Sequence, residues 1–221
     1  MNIRVVVAFA LAFLPFVAAA QQHEQPQVTI EANRVTASHF HPGARVVLYA
    51  VSLVSDGYSS GSRAFNALLT DDDHDGAITY SSAKPVALRS IWVAVDLDTG
   101  EYAVGTPSGY GTTQPGRHAA FRKSNGGTVD VVAAPSLLAY VLYVRPGQGA
   151  WTTMAIDGGV GDFDQASDGI ASLSLGRFKS VDGTSPAPAS LLPGGALFII
   201  DEAHMTTEAV TLTADMLNGA N

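Results

Sequence analysis

A chain of 221 residues with net charge −8, 12 Lys and Arg against 20 Asp and Glu, and no cysteine rules out several classes at once. Disulfides, thiol nucleophiles and Cys-ligated metals are excluded, and the scattered Lys and Arg argue against nucleic acid and anionic membranes as partners. The acidic balance favours a cation, and a mature length of about 200 residues suits one large or two small domains.

Met1–Arg4 is a short positive region, Val5–Val17 an apolar run and Ala18-Ala19-Ala20 an A-x-A cleavage site. Residues 1–20 therefore read as a signal peptide cut before Gln21, and the expected location is secreted, or periplasmic within the cell envelope. Residues 21–27 read as a disordered polar leader. No later run is long and apolar enough for a membrane span.

Val28-Thr29-Ile30 opens the folded part, and Val35–Phe40 reads as a second strand before the Pro42-Gly43 turn. Arg45–Leu53, RVVLYAVSL, is apolar on both alternating faces and reads as a strand buried on both sides. Arg63–Leu69 fits a short helix or a strand. Asp71–Gly76 is an acidic turn, Ala77–Ser81 a strand, and Lys84-Pro85 a break. Ser90–Leu97, SIWVAVDL, is a second fully apolar strand, turning through Asp98-Thr99-Gly100 into Glu101–Val104. Residues 106–127 are rich in Gly, Pro, Ser and Thr and read as a linker or long loop. Strands are expected at Thr128–Ala133, Leu137–Val144, Trp151–Ile156, Ile170–Leu175, Ala196–Ile200 and Glu208–Leu212. Lys179–Gly195, interrupted by Pro186, Pro188 and Pro193, reads as loop, and residues 214–221 as a polar tail.

Short strands between Gly/Pro turns predict an all-β protein, an Ig-like β-sandwich, either as two tandem small domains or as one pseudo-duplicated sandwich. The units are expected at 28–105 and 128–213. Duplication is suggested by RVVLYAVSL, DDDHDGAITY and SIWVAVDLDTGEYAV recurring in kind as AYVLYVRPG, DFDQASDGIASL and ALFIIDEAHMTTEAV, with a loop insertion in the second copy.

The sharpest chemical signal is the acidic turn. Asp71, Asp73 and Asp75 alternate, Gly76 follows, and Ile78 comes two residues later. Over eight residues this resembles the D-x-[DN]-x-[DN]-G-x-I half of EF-hand and dockerin-type calcium loops. The resemblance implies Ca²⁺ held by Asp71, Asp73, Asp75 and the Ala77 carbonyl. The twelfth position is Ser82 rather than Glu, and a strand follows where an EF-hand has a helix. A solvated Asp/Gly turn is the alternative. Asp162, Asp164 and Asp168 before Gly169 form a second, less regular acidic loop.

Gly57-Tyr58-Ser59-Ser60-Gly61 matches the G-x-S-x-G nucleophile turn, but too little chain precedes it for an α/β-hydrolase. His39 and His41, spaced i, i+2, would share one face of a strand, where His74, His118 and His204 could join them as metal ligands. Surface histidines beside the Pro42-Gly43 turn are the alternative. Trp92 and Trp151 read as core. Tyr58, Tyr102 and Tyr110 could stack on sugar rings. The function expected from these residues is a non-enzymatic binding or structural module, with Ca²⁺ as its one candidate cofactor and an extracellular or envelope protein or carbohydrate as partner. The alternative is a secreted hydrolase with a site assembled from loop Asp and His residues.

Overall fold

A computed structural model of the chain describes residues 24–55, 60–107, 120–125, 128–132, 138–147, 150–156, 159–161, 168–181, 186–201 and 204–218. The predicted signal peptide, residues 21–23 of the leader, Gly57-Tyr58-Ser59, Tyr110, His118, Asp162 and Asp164 lie outside the described residues.

The first seven strands are β1 (Gln27–Glu31), β2 (Arg34–Ser38), β3 (Arg45–Ser55), β4 (Ser60–Thr70), β5 (Ile78–Ser81), β6 (Ser90–Asp96) and β7 (Tyr102–Gly105). They form a three-stranded sheet, β1-β2-β5, and a four-stranded sheet, β4-β3-β6-β7. The rest of the chain gives β8 (Ala120–Asn125), β9 (Thr128–Val132), β10 (Leu138–Pro146), β11 (Trp151–Ile156), β12 (Val160–Gly161), β13 (Ile170–Ser174), β14 (Phe178–Ser180), β15 (Ala196–Asp201), β16 (Thr206–Thr211) and a short helix α1 (Ala214–Asn218). Their sheets run β8-β9-β13 and β11-β10-β15-β16, which is the first order repeated. The second copy adds β14 on the free side of β11, and β12 beside the start of β10. Every ladder is antiparallel. Three strands facing four is the Ig-like sandwich arrangement.

Side-chain alternation along the central strands explains how the four sheets stack. From β3, Val46, Leu48 and Ala50 point to Val35, Ala37 and Ile78 and form the first core. Tyr49 and Val51 point the other way, with Ile91, Val93 and Val95 of β6, and meet Tyr140, Leu142, Val144, Phe198 and Ile200. On the far side of β10, Ala139, Val141 and Tyr143 pack on Val129, Val131, Ala171 and Leu173. The two four-strand faces are thus pressed together, and the order is sheet, core, sheet, core, sheet, core, sheet. This is why SIWVAVD and ALFIID are buried at every position: each lies in a sheet covered on both faces. At about 1.5–3 kcal/mol per large apolar side chain buried, the middle layer is a substantial source of stability.

Of the two readings open for Arg63–Leu69 the structure takes the strand, since the segment lies wholly within β4. Other segments differ from the sequence expectation. The supposed linker 106–127 carries β8, whose backbone pairs with β9 and whose Phe121 reaches the core. Its composition is polar because it is an edge strand with little to bury. Lys179 and Ser180, expected as loop, belong to β14, an edge addition on β11. The supposed tail begins as α1, where the Thr213 hydroxyl accepts the Met216 N–H at 3.3 Å and Met216 and Leu217 pack on the core.

Candidate functional site

Asp71 follows directly on β4 and turns inward, with only 2% of its surface exposed. Its own N–H donates to the Ala44 carbonyl at 3.0 Å. Its Oδ2 accepts from the Gly43 N–H at 2.8 Å and the Gly76 N–H at 2.9 Å, and its Oδ1 from the Asp75 N–H at 3.3 Å. Asp71 therefore pins the 71–76 turn to the 42–44 turn. Gly76 sits at φ +78°, and a Cβ there would fall 2.7 Å from the Phe40 carbonyl oxygen, so only glycine fits. His74, at φ +63°, reverses the chain between Asp73 and Asp75. The Ala77 N–H donates to Asp75 Oδ1 at 2.8 Å and closes the turn into β5.

The outcome is that one carboxylate oxygen from each of Asp71, Asp73 and Asp75 lies within 4.8 Å of the others. Ca²⁺–oxygen distances of 2.3–2.6 Å put opposite ligands about 5 Å apart, so this spread matches one ion. The electrostatics are uneven. Burial alone would raise the Asp71 carboxyl, but the Gly43 and Gly76 N–H groups, with the Asp73 side chain and the Asp75 N–H, hold it below the usual range. Asp73 is pushed up, first by sharing a hydrogen bond with Asp71 and then by the Asp75 charge. Asp72 is exposed and outside the cluster.

The structure separates the two histidines expected to share a face. β2 ends at Ser38, and His39 at φ +65° breaks the alternation. His39 turns to Glu24, with Nε2 3.0 Å from Oε2. His41 turns the other way, to Asp96, with Nδ1 2.5 Å from Oδ2, and its Nε2 is 3.8 Å from Asp98 Oδ2.

This His41–Asp96–Asp98 cluster was not anticipated from the sequence, because His41 and Asp96 are 55 residues apart. The available signal was the D-L-D-T-G turn. Asp96 is fully buried and accepts from the Asp98 N–H at 2.7 Å, the Thr99 N–H at 3.4 Å and the Thr99 hydroxyl at 3.0 Å. Arg45 Nη2 donates to Asp98 Oδ1 at 2.7 Å and holds that carboxyl below its ordinary range. A His beside a carboxylate can move a proton. The guanidinium on Asp98 opposes a second cation there.

The second copy repeats both motifs. Asp201 ends β15 as Asp96 ends β6, is fully buried, and accepts from the His204 N–H at 3.1 Å, with His204 Nδ1 3.2 Å away. Asp168 Oδ1 accepts the Ile170 N–H at 3.0 Å before Gly169-Ile170, as Asp75 does for Ala77, and Gly169 has φ +80° against +78° at Gly76. A buried Asp at the end of the same strand in both copies is accounted for by turn building.

Trp92 is core, 6% exposed, with its indole N–H on Ser90 Oγ at 3.1 Å and Phe65 and Tyr80 beside it. Trp151 is only half-buried and lies at the junction of the two copies, next to Tyr102 in an open cleft of about 630 Å³. The Tyr102 ring packs edge-on to Phe198, centroids 4.8 Å apart.

No family model matches the chain, and no curated protein matches it significantly. Among solved structures it is similar to the FN1–FN3 domains of chicken CNTN1, at 10% identity and a TM-score of 0.21, with 86% of this chain and 66% of that one covered. The chain thus spans just under two thirds of that chain's length. The Ig-like fold rests on the strand order described above. No helix among the described residues is long and apolar enough to cross a membrane.

Proposed function

We propose that the protein is a non-enzymatic β-sandwich module working outside the cytoplasm as a binding or structural component, its first sandwich stabilised by Ca²⁺ at Asp71, Asp73, Asp75 and the Ala77 carbonyl. The observation that carries the ion is the convergence of three carboxylates within 4.8 Å. The raised Asp73 carboxyl supports it, because the crowding that raises it is what a cation relieves. The leader and the absence of cysteine agree with export and with an ion, rather than disulfides, as the added support. The net charge of −8 favours a protein or carbohydrate partner over nucleic acid.

Without a bidentate Glu the affinity should be of the extracellular class, on the order of 10⁻⁴ to 10⁻³ M. The test is a melting curve after chelator treatment. Ca²⁺ at ten times Kd should add about 1.4 kcal/mol and raise Tm by several degrees, Mg²⁺ much less. Asp73→Ala should remove the shift. A wild-type curve unmoved by Ca²⁺ up to about 10 mM, well above that affinity range, would leave only an acidic turn.

A further inference from the structure

The cleft of about 630 Å³ beside Trp151 is built from three segments. Gln25 and Pro26 come from the chain just before β1, Thr99 to Tyr102 from the β6–β7 turn, and Trp151 from the start of β11. Each sandwich thus contributes a wall, and an aromatic ring stands in each wall.

Both rings are fixed before any ligand arrives. Gly100 packs on the Trp151 indole so closely that no side chain fits between them, and the Trp151 backbone N–H is tied to the Leu97 carbonyl. The Tyr102 ring meets Phe198 of the middle layer edge-on. Neither ring is fully covered, since both residues are half-buried. A preset aromatic wall loses little side-chain entropy on binding.

Among the described residues, the Trp151 indole N–H, the Tyr102 hydroxyl and the Gln25 amide make no hydrogen bond within the protein, and none of them is closed off from solvent as the Tyr49 hydroxyl is. Aromatic groups with a packed body and a wet polar tip are the ones that interfaces favour. The described lining holds one carboxylate, Glu101, and no Lys, Arg or His, which together with the net charge of −8 disfavours an anion. A wholly apolar ligand would strip water from the indole N–H, the phenol and the amide without replacing its hydrogen bonds. An uncharged molecule with an apolar face and hydroxyls around its rim meets both demands, and a pyranose ring is such a molecule.

We propose that this cleft binds a neutral oligosaccharide, with the C–H face of one sugar ring on Trp151 and its hydroxyls paired with the Tyr102 hydroxyl and the Gln25 amide. The assignment rests on the reading of the protein as a binding module, and it selects carbohydrate over protein as the partner. The volume is within the range of small-molecule sites, and the open mouth lets a chain of sugars continue beyond the ring that is held.

The experiment titrates the protein by calorimetry with cellohexaose, xylohexaose, mannohexaose and chitohexaose, and separately with choline and with decaproline. At least one hexasaccharide should saturate, and choline and decaproline should not. Trp151→Ala should abolish that binding. Tyr102→Phe keeps the ring on Phe198, and Gln25 is exposed, so Tyr102→Phe and Gln25→Ala should leave the melting temperature unchanged. Each should weaken the sugar about three- to tenfold, the worth of one hydrogen bond. Full affinity in Trp151→Ala, or in both milder variants, would overturn the site. Saturation by choline or decaproline with no sugar bound would overturn the carbohydrate and keep the binding-module reading. No saturation by any probe would overturn the proposal outright.

Discussion

Trp151 of the second sandwich lies against Gly100 in the β6–β7 turn of the first, so closely that a Cβ added at Gly100 would overlap the carbons of the indole ring. The Trp151 N–H donates to the Leu97 carbonyl at 2.6 Å, tying the same two segments through the backbone. Gly100 also has φ +78°, which an L side chain adopts with strain. Gly100→Ala should therefore destabilise by about 1–3 kcal/mol, through overpacking added to backbone strain. The overpacking part should vanish in a Trp151→Ala background. A double-mutant cycle in urea that gives a coupling below about 0.5 kcal/mol would mean the ring does not bear on the turn.

The middle layer predicts cooperative unfolding. Phe198 is fully buried between the sandwiches, with Tyr102 of the first packed on its ring. Phe198→Ala should cost about 3–5 kcal/mol, and so should Trp92→Ala in the first core. Because sheets of both copies share the layer, both variants should still melt in a single transition at a lower temperature. Two separate transitions in the wild-type calorimetric trace would show that the layer does not couple the halves.

Asp71 is a structural hub whether or not an ion is bound. Asp71→Ala would leave the buried Gly76 N–H without its acceptor and free the Gly43 and Asp75 N–H groups. A loss of about 2–4 kcal/mol is expected in chelator-treated protein. Asp73→Ala should be neutral or stabilising under the same conditions, because it relieves crowding among carboxylates. Equal destabilisation by both changes, read from urea midpoints, would contradict this division of roles.

The pH dependence has a definite sign. Asp71 and Asp98 are held below their ordinary range in the folded chain. Their contribution is complete above the unfolded value of about 3.9 and is lost as pH falls through the folded values. Asp73 acts oppositely, since its folded value is raised and its ionisation works against the fold. Asp98→Asn should therefore flatten the fall in stability between about pH 5 and about pH 2, while Asp73→Asn should steepen it. Chemical denaturation across that range in low salt, without Ca²⁺, is the check.

Much of the architecture was legible in local pattern. RVVLYAVSL and SIWVAVDL are apolar at successive positions and rich in β-branched and aromatic residues, the pattern of a strand covered on both faces, and the same pattern in AYVLYV and ALFII pointed to a second copy. Edge elements were not legible. β14 is a three-residue strand, β8 is an edge strand, and α1 is a five-residue helix with only Met216 and Leu217 partly buried, so none carries a readable period, and their existence depends on a neighbour's free backbone or an uncovered stretch of core.

The acidic turn was visible because its ligands are near neighbours in sequence, and Asp71, Asp73, Asp75 and Gly76 state the turn by themselves. What tertiary structure decided is which carboxylate faces inward. Asp71 is the buried one only because the 42–44 turn brings Gly43 N–H to its oxygen. It likewise separated His39 from His41, and joined His41, which follows β2 of one sheet, to Asp96 at the end of β6 in the other. Local pattern specifies which face of a strand is apolar. Which two faces meet is set by long-range packing, which no short window of residues records.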